Sequence, residues 1–187
     1  AHALETILDA AQKIRSLPDG DVYRFILLGN GARKQALQDK AAEMKLDNVV
    51  FLDSVPKDEV PRYWALLDIS IIHLKKNDLF TTVIPSKLFE CMGMGIPTLH
   101  GVAGESAEIV EKEGVGLVFE PENADQLIEK LVKLRNDEGL YRVLADNCLQ
   151  GAGNYDRSVL ATRMLDILQK TASPDPLAET ADEANTQ

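Results

Sequence analysis

Five short apolar runs, separated by stretches with helical spacing, constrain this chain more than any other feature. The runs are 23–28, 49–52, 69–74, 97–100 and 116–119. Helical patterns fill the gaps at 32–44, 58–66, 86–94 and 105–113. Another precedes them at 3–15, where Leu4, Ile7, Leu8, Ala11 and Ile14 repeat on one face. Three more follow at 123–134, 140–148 and 158–170. Strands that are apolar throughout are buried on both faces, and strands that alternate with helices pair in parallel. The expected fold is α/β, a doubly wound parallel sheet. Such sheets bind ligands at the carboxyl ends of their strands. That singles out the loops 29–33, 53–55, 75–87 and 101–105.

Composition narrows the function. Apolar residues make up 45% of the 187, enough for a core. No apolar run reaches the length of a membrane-spanning helix. The N-terminus has no basic segment leading into an apolar one, so no signal peptide is expected. The chain opens on a helical pattern without Met, which reads as a fragment of a longer protein. The net charge is −10, which argues against nucleic acid as a partner. Residues 171–187 carry four acidic and no basic residues. They are expected to be a disordered polar tail after a domain spanning 1–170. Cys91 and Cys148 have no metal-ligand spacing and build no disulfide framework, as suits a reducing cytoplasm.

Three loops carry residue types suited to a phosphorylated ligand. Gly29-Asn30-Gly31 runs from a strand into a helix, with Arg33 and Lys34 beyond it. Glycines admit a ligand close to the backbone, and the amides of a helix start attract phosphate. A tight turn explains the same residues, and the third glycine of a dinucleotide fingerprint is absent, since position 34 is Lys. Ile84-Pro85-Ser86-Lys87-Leu88-Phe89-Glu90 is more informative. Ser86 suits an N-cap, and the amides of Lys87 and Leu88 are expected to be free for a diphosphate. Glu90 lies one turn further on, where a carboxylate can accept two hydrogen bonds from a vicinal diol. An ion pair with Lys87 on a solvated face is the plain alternative. The apolar neighbours Leu88, Phe89, Cys91 and Met92 make a buried Glu90 the expectation. Gly101-Val102-Ala103-Gly104-Glu105 opens another helix, with Glu105 serving either the helix dipole or a ligand.

The order of Leu28-Gly29-Asn30-Gly31, Asn48-Val49-Val50-Phe51-Leu52, Val55-Pro56, the run Pro85-Ser86-Lys87-Leu88-Phe89-Glu90-Cys91-Met92-Gly93-Met94-Gly95-Ile96-Pro97, and Gly104-Glu105-Ser106-Ala107-Glu108 is similar to a known family. It resembles the C-terminal, donor-binding domain of retaining GT-B glycosyltransferases of family 4. The likeness runs over residues 1–170 and is most specific in 85–97. The variant with Ile84-Pro85-Ser86-Lys87 resembles the branch that builds bacterial O-antigen, capsule or exopolysaccharide. The resemblance implies a Rossmann-like half of a GT-B fold, with the acceptor-binding N-terminal domain absent. It implies a nucleotide-diphosphate sugar as donor, uridine by analogy, and a lipid-linked saccharide as acceptor at the inner membrane surface. It also implies retention of configuration.

Carried over by residue, Glu90 matches the glutamate that holds the donor ribose, and Ser86, Lys87 and Leu88 match the turn that meets the diphosphate. Asp53, Ser54 and Val55 match the loop beside the base, and Gly29 and Gly31 the glycine loop. The sequence departs from the family eight residues before Glu90, where Thr82 stands in place of the first glutamate. Thr82 supplies a neutral hydroxyl instead, or another loop residue takes the role. Lys75 and Lys76 are further candidates for phosphate. No carboxylate pair is placed for Mg²⁺, so no metal or cofactor is expected. No residue stands out as a catalytic base. Two other readings stay open: a GT-B sugar-nucleotide epimerase sharing the cleft, and a non-enzymatic α/β interaction or sensor domain.

Overall fold

The computed structural model describes residues 1–172. Residues 1–151 form one compact unit and those from 152 onward a second. In the first unit the order is α1 (Glu5–Ile14), β1 (Phe25–Leu28), α2 (Lys34–Glu43), β2 (Val49–Leu52), α3 (Val60–Trp64), β3 (Ser70–His73), α4 (Lys87–Gly93), β4 (Thr98–Gly101), α5 (Glu105–Glu113), β5 (Gly116–Val118), α6 (Ala124–Asn136) and α7 (Glu138–Ala152). All five apolar runs form strands, and every pairing is parallel. This is the α/β architecture expected from the sequence.

The strands hydrogen-bond in two groups. β1 pairs with β2, from Phe25 opposite Val49 to Leu28 opposite Leu52. β4 lies between β3 and β5, with Leu99 opposite both Ile71 and Leu117. β1 and β3 share no pairing, yet both line one cavity of about 1520 Å³.

Packing follows the apolar periodicity. Ile7, Leu8, Ala11 and Ile14 of α1 are buried, and α1 packs against α6 through the core that holds Leu127, Leu131 and Leu134. Each such side chain contributes about 2 kcal/mol relative to exposure. Asn123 caps α6, accepting from the Gln126 N–H at 3.0 Å. α7 begins two residues earlier than the pattern places it, because Asp137 accepts from the Leu140 N–H at 2.8 Å. Cys91 and Cys148 are buried and free, and burial pushes their thiols up to about 11 and about 12.

The second unit holds a 3-10 helix, Gly153–Tyr155, and α8 (Arg157–Ala172). Leu160, Met164, Leu165, Ile167 and Leu168 of α8 are exposed. The tail expected from residue 171 begins later than that, since Thr171 and Ala172 belong to α8; the rest of it lies outside the described residues. Among the described residues no helix is long and apolar enough to cross a membrane.

Candidate functional site

Parallel strands place their carboxyl ends on one side, and three chain segments meet there around the large cavity. Gly29, Asn30 and Gly31 follow β1, Ser54 and Val55 follow β2, and Pro85, Ser86, Lys87 and Glu90 lead into and along α4. Gly29 has φ +141°, a conformation that favours glycine. An alanine Cβ at Gly29 or Gly31 would meet nothing within 4 Å, so the loop leaves open space in front of it.

The two loops of the β1–β2 pair are tied to each other. Asn30 Nδ2 donates to Ser54 Oγ at 2.9 Å. The Lys34 ammonium lies 3.0 Å from Gly29 O, 3.0 Å from Asn30 Oδ1, 2.8 Å from Leu52 O and 2.8 Å from Asp53 Oδ1. Lys34 is thus a clasp within the protein, and Arg33 pairs with Glu5 at 2.5 Å. The sequence suggested both as charges for a ligand; the structure engages both internally. Replacing Lys34 with methionine strips a donor from two backbone carbonyls in a half-buried place. It is expected to lower the unfolding free energy by about 2 kcal/mol, read by urea titration; an unchanged midpoint would contradict the clasp.

α4 corrects two expectations. Glu90 is exposed rather than buried, because the core side of the helix is Leu88, Cys91 and Met92, and residue 90 falls on the opposite side. Glu90 and Lys87 both face the cavity and form no ion pair with each other. Ser86 stands at the N-cap position, but in helical conformation and without a side-chain cap. The first helical bonds therefore start early: the Leu88 N–H donates to Pro85 O at 3.0 Å. The amides left without a partner among the described residues are those of Ser86 and Lys87, not that of Leu88.

Other candidates lie elsewhere. Leu88 is core. Thr82 ends a 3-10 helix, Asp78–Thr82, with its hydroxyl 3.5 Å from Leu79 O, and borders neither cavity described here. Asp53 is taken up by Lys34. Glu105 is exposed at the start of α5 and lines neither cavity, although Gly104 before it borders a second cavity of about 580 Å³. Lys76 is engaged by Glu120 at 2.6 Å. Lys75 borders both cavities.

His73, an unremarked residue in an apolar run, organises the end of β3. Its Nδ1 is 2.9 Å from His2 O, and its Nε2 accepts from the Glu122 N–H at 2.8 Å. Its ring stacks on Phe119 with centroids 5.8 Å apart. Burial pushes its pKa below the usual histidine value. Leu134, Arg135, Glu138 and Tyr141 also line the large cavity, brought there only by the packing of α6 and α7.

Comparison with known proteins agrees with this arrangement. An exopolysaccharide phosphotransferase of Streptomyces coelicolor is 24% identical over 90% of this chain and 18% of its own length. A GDP-mannose-dependent alpha-(1-6)-phosphatidylinositol monomannoside mannosyltransferase of Mycobacterium tuberculosis is 25% identical over 71% of this chain and 35% of its own. The fold matches Anabaena HepE, solved in complex with UDP and glucose, with a TM-score of 0.73 and 19% identity over 90% of this chain and 45% of HepE. The chain thus spans less than half the length of each. Residues 1–137 match the family model for glycosyl transferases group 1, and the chain belongs to that family.

Proposed function

We propose that the mouth of the large cavity holds the nucleoside diphosphate of a sugar donor. The observation that carries this reading is the convergence of Gly29–Gly31, Ser54–Val55 and Ser86–Glu90 on one cavity from three separate segments. The free amides of Ser86 and Lys87 and the Lys87 ammonium meet the diphosphate, where negative charge builds as the sugar C1–O bond breaks. The Glu90 carboxylate, exposed and unpaired with Lys87, accepts the two hydroxyls of the ribose. The Gly29 loop admits the donor close to the backbone, and Ser54 and Val55 border the base.

The whole protein then transfers the sugar to an acceptor oxygen with retention, in cell-surface polysaccharide synthesis, on the cytoplasmic side. The acceptor is a saccharide or a lipid-linked saccharide, held by an N-terminal domain. The exposed apolar residues of α8 are the surface this reading gives to that domain. Uridine is the expected base, supported by HepE with UDP; guanosine is the competitor, supported by the mannosyltransferase.

Thermal unfolding of the full-length protein with UDP, GDP and ADP tests the reading. One diphosphate should raise the melting temperature. Glu90→Ala should weaken its binding about 10- to 100-fold, the effect of losing hydrogen bonds to a charged acceptor. If no diphosphate stabilises the full-length protein at millimolar concentration, the reading fails.

A further inference from the structure

β1 and β3 are both edge strands inside one compact unit, which is unusual for apolar strands. Successive peptide groups of a strand point to opposite sides. In β1 the Phe25 N–H donates to Asn48 O and the Gly29 N–H to Leu52 O, both on the β2 side. The amides of Ile26 and Leu28 therefore point the other way. In β3 the Ser70 N–H donates to Pro97 O and the Leu74 N–H to Gly101 O, on the β4 side. The amides of Ile71 and His73 point away from β4. Both unpaired edges border the same cavity of about 1520 Å³, and Tyr63, Trp64, Leu131 and Leu134 also line it. Buried amides without partners are costly, and an apolar slot with two such edges is unfinished.

The start of the chain lies at the carboxyl end of this slot. The Lys75 N–H donates to Ala1 O at 2.8 Å. Lys75 has the parity of Ile71 and His73, so its amide is on the slot side. Ala1 thus already occupies the first pairing position on the extension of β3. From there the chain passes through α1 into β1, as a parallel strand–helix–strand unit does.

We infer that the slot between β1 and β3 seats one extended parallel strand, and that this strand is the stretch of the longer polypeptide leading into Ala1. Its carbonyls two and four residues before Ala1 accept from the amides of His73 and Ile71. Its other edge pairs with Ile26 and Leu28. Its side chains are apolar on both faces, since the walls of the slot are. The strand joins the two strand groups into one sheet. Because the Gly29 loop belongs to one group and α4 follows the other, it also fixes the two sides of the donor cavity. That last consequence rests on the proposed function; the strand itself does not.

Amide hydrogen exchange tests the inference on two forms: the chain 1–187, and the same chain extended by the native residues that precede Ala1. The amides of Ile26, Leu28, Ile71 and His73 should exchange about 100-fold more slowly in the extended form. Those of Phe25 and Leu27 report folding in both forms and should be protected in each. Equal exchange of the four slot amides in the two folded forms overturns the inference. Protection in the chain 1–187 that rises with protein concentration assigns the slot to a second copy and overturns it too. Exchange needs no nucleotide, so a failure of the donor-site reading leaves this result standing.

Discussion

Replacing Gly104 with alanine is expected to lower the unfolding free energy by about 4 kcal/mol, the sum of backbone strain and overpacking. Gly104 has φ +83° and ψ −145°, a combination that only glycine adopts readily. A Cβ there would lie 2.1 Å from Thr81 O and 2.8 Å from Thr81 Cα. Thr81 is backbone inside the 3-10 helix Asp78–Thr82, and its hydroxyl donates to Asp78 O at 2.8 Å, so it cannot swing aside. Gly93→Ala is the control: a Cβ there meets nothing within 4 Å, and the residue is helical. That change should be neutral or stabilise by up to about 1 kcal/mol. Chemical denaturation of both variants decides the matter. A Gly104→Ala protein within 1 kcal/mol of the wild type, roughly the size of an ordinary substitution, would show that the contact with Thr81 is not as described.

Stability is expected to fall steeply on mild acidification, with His100 as the main cause. Its side chain is fully buried, Nε2 is 2.6 Å from Ser106 Oγ, and Nδ1 has no partner among the described residues. Burial lowers its pKa from 6.5 to about 4. The unfolded chain therefore binds a proton between pH 6.5 and 4 that the folded chain refuses. The folded state is favoured fully above that window and loses the contribution as pH drops through it. The linkage amounts to about 2 kcal/mol between pH 7 and pH 5, and about 3 kcal/mol by pH 4. His73, also lowered by burial, acts in the same direction. Urea unfolding at pH 7 and pH 5 should show the loss in the wild type and a clearly smaller one in His100→Gln. Equal losses in the two would contradict the assignment.

The sequence made the strands legible because each is a compact apolar run with turn residues behind it, as at Leu28-Gly29 and Leu52-Asp53. It also located the loops that line the cavity, since the carboxyl ends of parallel strands follow from strand order alone. It misjudged Glu90, because counting apolar neighbours on a seven-residue helix does not reveal which side faces the core. The roles of Arg33, Lys34 and Lys76 were hidden for a similar reason. Their partners Glu5, Asp53 and Glu120 lie 28, 19 and 44 residues away in the chain, and only the fold brings them together. His73 carried a faint signal: a titratable ring in the apolar run 69–74 needs partners, and the structure supplies His2 and Glu122. The unpaired edges of β1 and β3 were not legible at all, because strand order is a tertiary property.

The central claim is that a nucleoside diphosphate binds at the mouth of the large cavity, against Glu90 and Lys87. Titrating ¹⁵N-labelled protein with the stabilising diphosphate and following the amide resonances tests it most directly. The account predicts that the largest shifts fall on Gly29, Gly31, Val55, Ser86, Lys87 and Glu90, and that Thr81, Gly104 and Phe119 around the second cavity stay nearly still. Shifts confined to the second cavity, with the Ser86–Glu90 amides unmoved, would contradict it.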